Sequence, residues 1–462
     1  MSEYYRPEPA ILELSETFYD PVPPAAFPQA ILRFRNDRRA AAVGLEGLSD
    51  DAWIAHFGRF EPLPDNLPQP LALRYHGHQF RVYNPDIGDG RGFLFAQLRD
   101  GDGRLLDLGT KGSGRTPYSR FGDGRLTLKG GVREILATEM LEALGVQTSK
   151  TFSLIETGEA LDRNDEPSPT RGSVLVRLQH SHIRIGTFQR LAYFGLADEI
   201  ERLTDYCLRL YYRDEERGAG KAGRLLARVV RECARLAASY IAAGFVHGVL
   251  NTDNIAITAE SFDYGPWRWT PHWDGGFTAA YFDHAGLYAF GRQPEAIGWD
   301  LHQLAGCLTL IAEPDELTPA LDLYAPAFQA ELRAAICRRL GIVQRGPEED
   351  NVLLAAIEGG LTGRTVTIDR FFFDWRGGRR RGPSPVDPAY AGESFAAFRE
   401  LVGAYEAADA PDHPYWSQPE PCSMHIDEVE AIWSAIDERD DWEPLGTKIA
   451  TVRRMGEALG AS

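Results

Sequence analysis

The residues best equipped for chemistry lie between positions 247 and 263. They read His247-Gly248-Val249-Leu250-Asn251-Thr252-Asp253-Asn254, then Ile255-Ala256-Ile257, and nine residues past Asn254 comes Asp263-Tyr264-Gly265-Pro266. Enzymes that transfer phosphate groups use such a pattern, a polar cluster ending in Asp-Asn, an apolar triplet and a second Asp, to hold a divalent cation and a reacting hydroxyl. One carboxylate takes the proton. An amide oxygen and a second carboxylate are hard oxygen ligands that suit Mg2+. An Asn-Thr-Asp-Asn turn capping a strand uses the same residue types, so the reading depends on what precedes it.

Three groups upstream could complete the site. Gly88-Asp89-Gly90-Arg91-Gly92 would let backbone N–H groups approach an anion, with Arg91 adding charge; an ordinary tight turn also needs such glycines. Lys111 lies 23 residues after Gly88 and 23 before Glu134. A lysine at a strand end and a glutamate on the next helix form the ion pair that positions nucleotide phosphates, and a loop lysine with a helix-dipole glutamate is the plainer reading. Arg177 and Arg184 stand seven residues apart at a strand-to-helix junction. They could grip a polyphosphate or pair with surface carboxylates. A second glycine-bearing loop is Phe121-Gly122-Asp123-Gly124-Arg125.

One position breaks the pattern. Kinase-like catalytic loops put their base Asp at the third place of His-x-Asp, five residues before the metal-binding Asn. Here that place is Val249, which cannot accept a proton, and the nearby carboxylate is Asp253. Smaller features read more plainly. His76-Gly77-His78 is read as turn histidines, Arg379-Arg380-Arg381 as a solvated loop, and Asp300 and His302 as a support beneath the catalytic loop.

The elements that must position these groups follow from periodicity. Residues 1–70 are proline-punctuated, with helical pieces expected at 28–43 and 49–57. Runs at 79–84, 93–98 and 104–108, separated by Gly88–Gly92 and Asp100-Gly101-Asp102-Gly103, predict an antiparallel meander with a glycine-rich first turn. A helix is expected from 132 to 144, where Gly145 stops it, and strands at 150–156 and 173–179. Helices are expected at 222–241, with the stripe Leu225, Val229, Cys233, Leu236 and Tyr240, and at 298–312, 319–339, 424–437 and 445–459; 376–388 reads as a loop. A β-rich half followed by an α-rich half predicts an α+β fold of two lobes with a cleft between them.

Bulk properties narrow the function class. The chain has 462 residues, 44% hydrophobic and 25% charged, as in ordinary globular proteins. A net charge of −18 argues against binding nucleic acid or an anionic membrane over the whole surface. Cys207, Cys233, Cys307, Cys337 and Cys422 are sparse, and the closest two are 26 apart, so neither a disulfide framework nor a thiolate metal cluster is expected. The polar, acidic start MSEYYRPEPAILELSETFYD resembles no signal or transit segment, and no apolar run is long enough to span a bilayer. The expected location is the cytoplasm, with no membrane and no nucleic-acid partner.

With these residues in order, the chain resembles the selenoprotein O (SelO) family of pseudokinase-fold protein adenylyltransferases. The segments that carry the resemblance are GHQFRVYNPDIGDGRG, LGTKGSGRTPYSRFGDGRLTLKGGVREIL, VLVRLQHSHIRIGTFQ, HGVLNTDNIAI, FDYGP and GRQPEAIGWDLHQLA. It implies a bilobed, protein-kinase-like α+β fold in which ATP is bound inverted and AMP, not the γ-phosphate, is transferred to Ser, Thr or Tyr hydroxyls of proteins. By position it implies that Gly88, Gly90, Arg91, Lys111, Asp123, Gly124, Arg177, Arg184 and Asp263 bind ATP and that Glu134 pairs with Lys111. Asp253 would be the proton acceptor, and Asn254 and Asp263 would hold Mg2+ or Mn2+. The implied division is an N-terminal extension (1–70), an N-lobe (71–189), a C-lobe (190–385) and a C-terminal helical extension (386–462). A γ-phosphoryl transferase and a silent ATP-binding scaffold are the alternatives. Many members end in a Cys- or selenocysteine-bearing tail. This sequence ends MGEALGAS, so redox gating is not expected, and its last 150 or so residues carry the resemblance loosely.

Overall fold

The computed structural model describes residues 2–90, 92–120, 124–163, 167–216, 218–408 and 412–460. The chain enters through strands β1 (Tyr19–Pro21) and β2 (Ile31–Arg35), then helices α1 (Asp37–Ala42) and α2 (Asp50–Gly58). The helix expected at 28–43 is therefore half strand. Ile31–Arg35 pairs with a sheet edge that would otherwise leave backbone groups unpaired, and helix begins only after the Asn36 side chain caps the Arg39 N–H. Next come β3 (Leu71–Leu73), β4 (Gly77–Gln79), β5 (Val82–Asn84), β6 (Gly92–Arg99) and β7 (Leu105–Lys111).

The strand expected at 79–84 is broken. Phe80 and Arg81 have φ of +50° and +63°, so the chain reverses there and β4 pairs with β5 as a two-residue hairpin outside the main sheet. Two successive left-handed residues make a tight turn whose twist matches a hairpin. Gly88–Gly92 thus connects this hairpin to β6 and is not the first turn of a meander. The Asp-Gly turn between β6 and β7 forms as its residues dictate: the Asp100 side chain accepts the Asp102 and Arg104 N–H groups, and Gly103 has a φ of +73°.

β8 (Leu126–Thr127) leads into α3 (Leu128–Ala143), and β9 (Lys150–Leu161) and β10 (Thr170–Gln179) complete the sheet. Among the described residues it is eight-stranded and antiparallel, in the order β1-β3-β6-β7-β10-β9-β2, with β8 on β10. Alternation along strands sets its two faces. Val174, Val176 and Leu178 join Leu108, Phe152, Trp53 and Phe57 under α1 and α2, where Trp53 stacks on Phe152 at 4.8 Å. Leu175 and Leu105 turn the other way, toward Ile135, Leu136 and Met140 of α3.

The rest is mainly helical. It comprises α4 (Ile185–Tyr193), α5 (Ala197–Tyr211), α6 (Lys221–Ala243), the short strands β11 (Phe245–Val246) and β12 (Arg268–Trp269), α7 (Gln293–Leu308), α8 (Pro314–Leu321), α9 (Tyr324–Leu340), α10 (Pro347–Leu361), α11 (Ile368–Asp374), α12 (Asp387–Ala391) and α13 (Ala396–Val402). The run expected as one helix at 319–339 is two, α8 and α9, separated at residues 322–323. The expected stripe on α6 is wholly buried, and the helix stops at Gly244, whose φ is +70°. The loop expected at 376–388 runs to residue 386, with Arg379 exposed, but Arg380 and Arg381 are half-buried. Arg381 donates to the carbonyl of Phe373 and stacks on its ring at 3.9 Å, and Arg380 pairs with Asp387. Aromatic faces and free carbonyls nearby draw the guanidiniums inward. The chain closes with α14 (Ile426–Arg439) and α15 (Glu443–Leu459), both packed on α3. Arg453 of α15 reaches Glu139 of α3 at 2.7 and 2.6 Å.

Candidate active site

Strand parity places the sheet's cations. Lys111 ends β7 on the face shared with Leu105, and Arg177 lies on β10 beside Leu175, so both point toward α3 and the helical half. Register sets Arg177 opposite Gly109 and Leu175 opposite Lys111. Gly109 leaves room for the His182 ring: a Cβ there would come within 2.0 Å of its Nε2. His182 is held by Asp107 at 3.1 Å and receives the Arg177 Nε–H at 3.4 Å. Glu134 projects from α3, buried, and accepts from Lys111 Nζ at 2.7 Å. The expected ion pair therefore forms. The same ammonium donates to Asp263 Oδ1 at 2.6 Å.

The catalytic-type loop hangs from the end of α6. His247 is buried, its Nε2 2.9 Å from the Phe262 carbonyl and its N–H donating to Gln293. Residues 252–254 close into a single tight helical turn, with the Asn254 N–H on the Asn251 carbonyl. Asn254 Nδ2 donates to the Val249 carbonyl at 3.0 Å, which leaves its amide oxygen as the ligand-capable atom. Asp263 has a φ of +62°, uncommon for a non-glycine residue, and this turns its carboxylate back toward Lys111.

These groups meet in one cavity of about 270 Å3 lined by Gly88, Gly90, Lys111, Arg177, Arg184, Val249, Asp253, Asn254 and Asp263, together with Tyr75, Gln79, Asp89 and Asn251. Arg177 and Arg184 are 5% and 4% exposed. Arg184 Nη1 donates to the Asp253 carbonyl at 3.0 Å, and its guanidinium lies over both the Tyr75 and the Phe262 ring, at 4.2 and 4.8 Å. Arg177 Nη1 is buried with no hydrogen-bond partner among the described residues, 3.9 Å from Asp263 Oδ1. The glycine loop is braced from below: Thr116 and Ser119 donate to the carbonyls of Asp89 and Gly90, and a Cβ on Gly88 would strike the Tyr118 ring at 2.5 Å. Gly124 has a φ of +88°, stands against Gly114 and Arg115, and does not line the cavity. Arg91 and Asp123 lie outside the described residues.

Asp253 is the cavity's proton-accepting candidate. Removal from water raises its carboxyl to about 6, against the opposing pull of the Arg184 charge and the hydrogen bond from Gln79. Gln79 Nε2 donates to Asp253 Oδ1 at 2.6 Å, and Asn251 Nδ2 donates to Gln79 Oε1 at 2.7 Å. The sequence assigned no role of its own to Gln79 or to Asn251, which was legible only as the first residue of the Asn-Thr-Asp-Asn turn. Gln79 read as the start of a strand, and only the reversal at Phe80-Arg81 brings it to a loop more than 170 residues away. His76 and His78 bind Tyr83 and Gln189 side chains. Asp300 is buried in α7 with its carboxyl raised well above the ordinary range by burial and by the Asp253 charge. Among the described residues, no group of three or more His, Cys, Asp or Glu side chains could hold a metal ion. Nor is any helix among them long and apolar enough to cross a membrane.

Comparison with known proteins settles the family. The family described as protein adenylyltransferase SelO matches residues 3–381. The chain belongs to the SelO family. A relative from Gloeobacter violaceus, named protein nucleotidyltransferase YdiU, is 43% identical over 465 residues, covering 97% of this chain and 95% of its own. Another of that name from Synechocystis is 50% identical over 340 residues, covering 72% and 70%. As a SelO-family member the chain is a nucleotidyltransferase. A Toxoplasma gondii rhoptry antigen kinase domain aligns with 58% of the chain and 82% of its own, at 10% identity; its TM-score of 0.28 is too low to bear on the fold.

Proposed function

We propose that the protein transfers AMP from ATP to Ser, Thr or Tyr hydroxyls of other proteins, releasing pyrophosphate, on a bilobed kinase-like frame that binds ATP inverted. The acceptor oxygen forms a bond to the α-phosphorus, and the bond from that phosphorus to the β-bridging oxygen breaks. The hydroxyl proton passes to Asp253. The observation that carries this reading is one cavity that Asp253 lines together with Lys111, Arg177 and Arg184, with Val249, the residue at the usual base place in the sequence, also on its wall.

Enclosed guanidiniums suit the β- and γ-phosphates, whose charge grows as pyrophosphate leaves. With those phosphates at Arg177 and Arg184, the α-phosphate is the one presented to the acceptor, and a displaced base is then the required base. A second groove, of about 420 Å3, begins at Lys111 and runs past Leu126, Tyr264, Pro266 and Phe282, with the basic side chains of Lys129, Arg133, Arg163 and Arg268 also on its walls. Its partly apolar walls suit the nucleoside end of an inverted ATP. The donor set also fits a divalent cation. Asn254 offers an amide oxygen and Asp263 a carboxylate, and Mg2+ characteristically takes one or two such ligands and completes its shell with phosphates and water. Bound there, Mg2+ or Mn2+ would neutralise phosphate charge.

Incubation with Mg2+, candidate acceptor proteins and ATP labelled at the α- or, separately, the γ-phosphate tests the proposal. Label on protein from the α position alone is the expected result. Label from γ alone would replace this reading with phosphoryl transfer, and no covalent label would leave an ATP-binding scaffold.

A further inference from the structure

We infer that Gln79, carried by the β4–β5 hairpin, is a positioning residue that aims the Asp253 carboxylate at the acceptor hydroxyl; the inference rests on the reading of Asp253 as the base. The geometry fixes which way every amide in the chain of contacts points. The Phe80 backbone N–H is an obligatory donor, and it meets Asn251 Oδ1 at 2.9 Å. The Tyr288 hydroxyl reaches the same oxygen at 2.6 Å. The other end of Asn251, Nδ2, is therefore the donor to Gln79 Oε1 at 2.7 Å. Gln79 must then turn its own Nε2 toward Asp253, where it donates to Oδ1 at 2.6 Å. This bond fixes the Oδ1 end of the carboxylate and with it the plane in which the group presents itself.

The hairpin is itself pinned to the loop it serves. The His78 N–H donates to Thr252 Oγ1 at 2.9 Å, and Thr252 Oγ1 donates to Gln189 Oε1 at 2.5 Å. A Cβ on Gly77 would come within 2.1 Å of Gln189 Oε1 and 2.5 Å of Thr252 Oγ1, so any larger residue there would displace the side chains that pin the hairpin. The Phe80 ring packs on Tyr288 at 5.1 Å, and Arg81 pairs with Glu295 at 2.9 Å, which hold the two left-handed turn residues in place. A neutral amide orients the carboxylate without adding a positive charge that would weaken it as a base. Small displacements of a reacting group cost large rate factors, which is what such bracing prevents.

The test measures single-turnover AMP transfer, ATP affinity and thermal stability in Gln79→Leu, Gln79→Glu, Asp253→Ala and the double variant Gln79→Leu/Asp253→Ala. Gln79→Leu is expected to slow transfer roughly 10- to 100-fold with ATP affinity within about twofold of the unmodified protein. Gln79→Glu keeps the shape but turns an acceptor toward Asp253, and is expected to lose at least as much. In the Asp253→Ala background Gln79→Leu is expected to cost nothing further, because its partner is gone. An unchanged rate in either single Gln79 variant would overturn the inference. So would an equal loss with and without Asp253, or a loss that appears only as weaker ATP binding. Full transfer by Asp253→Ala would overturn the base assignment, whatever the Gln79 variants do, and the inference with it.

Discussion

Lys111 sits between two carboxylates, Glu134 at 2.7 Å and Asp263 at 2.6 Å, and is 7% exposed. Glu134 is 1% exposed, so deleting the lysine strands a buried negative charge. Lys111→Met is expected to lower stability by about 3 kcal/mol and AMP transfer by at least about tenfold. Adding Glu134→Gln removes the stranded charge. The double variant is expected to regain most of the thermal stability but none of the transfer. Melting curves and labelled-ATP assays on the pair separate the structural from the catalytic share, and recovery of both together would assign Lys111 to folding alone.

At the scale of elements, α3 carries Glu134 and is braced from behind by the C-terminal helices. Arg453 makes two bonds to Glu139, which is 4% exposed, and Lys129 meets Glu430 at 2.7 Å. Arg453→Ala leaves Glu139 with Arg38, 3.9 Å away, as its remaining ion-pair partner among the described residues, and is expected to cost about 2 kcal/mol, discounted for the partial exposure of Arg453. Chemical denaturation measures it. The start of α14 adds a pH dependence. His425 Nε2 lies 3.4 Å from Asp369 Oδ2, and the nearby carboxylate, outweighing burial, raises the imidazolium above its ordinary value of 6.5. A raised folded-state value means the stabilisation is complete below the unfolded value and disappears as pH climbs through the folded one. The melting-temperature difference between the unmodified protein and His425→Gln is therefore expected to be largest near about pH 5 and smallest near about pH 9. A difference that grows with pH would refute it.

At the scale of the molecule, the cavity joins the sheet's Lys111 and Arg177 to the helical half's Asp253, Asn254 and Asp263. A ligand that bridges them stabilises the whole chain by mass action. ATP with Mg2+ at a hundredfold excess over its Kd is expected to add about 2.7 kcal/mol, or about 3 °C in Tm for a chain of this length. Arg177→Met is expected to remove most of that shift, and chelating the metal to abolish transfer. Thermal melts with and without nucleotide read the first outcome, and an undiminished shift in Arg177→Met would take Arg177 out of the phosphate site.

Local chemistry made much of this readable from the chain alone. The stripe on α6, the Asp-Gly turn after β6 and the Lys111–Glu134 spacing each depend on residues within a few turns or one strand-helix step, where propensity and periodicity act directly. Val249 and Asp253 were legible as types in order, and so was the family resemblance that the comparisons bore out. What the sequence could not show depends on contacts between distant segments. Ile31–Arg35 is strand because β9 offers an open edge. Arg380 and Arg381 turn inward because rings and carbonyls from other elements wait there. Gln79 meets Asp253 because two left-handed residues reverse the chain and Asn251, on the far loop, locks the amide in one orientation. The sequence by itself determined which side chains could act around residues 247–263. Tertiary structure decided which of them touch, since a hydrogen bond across more than 170 residues is set by packing and leaves no periodic trace.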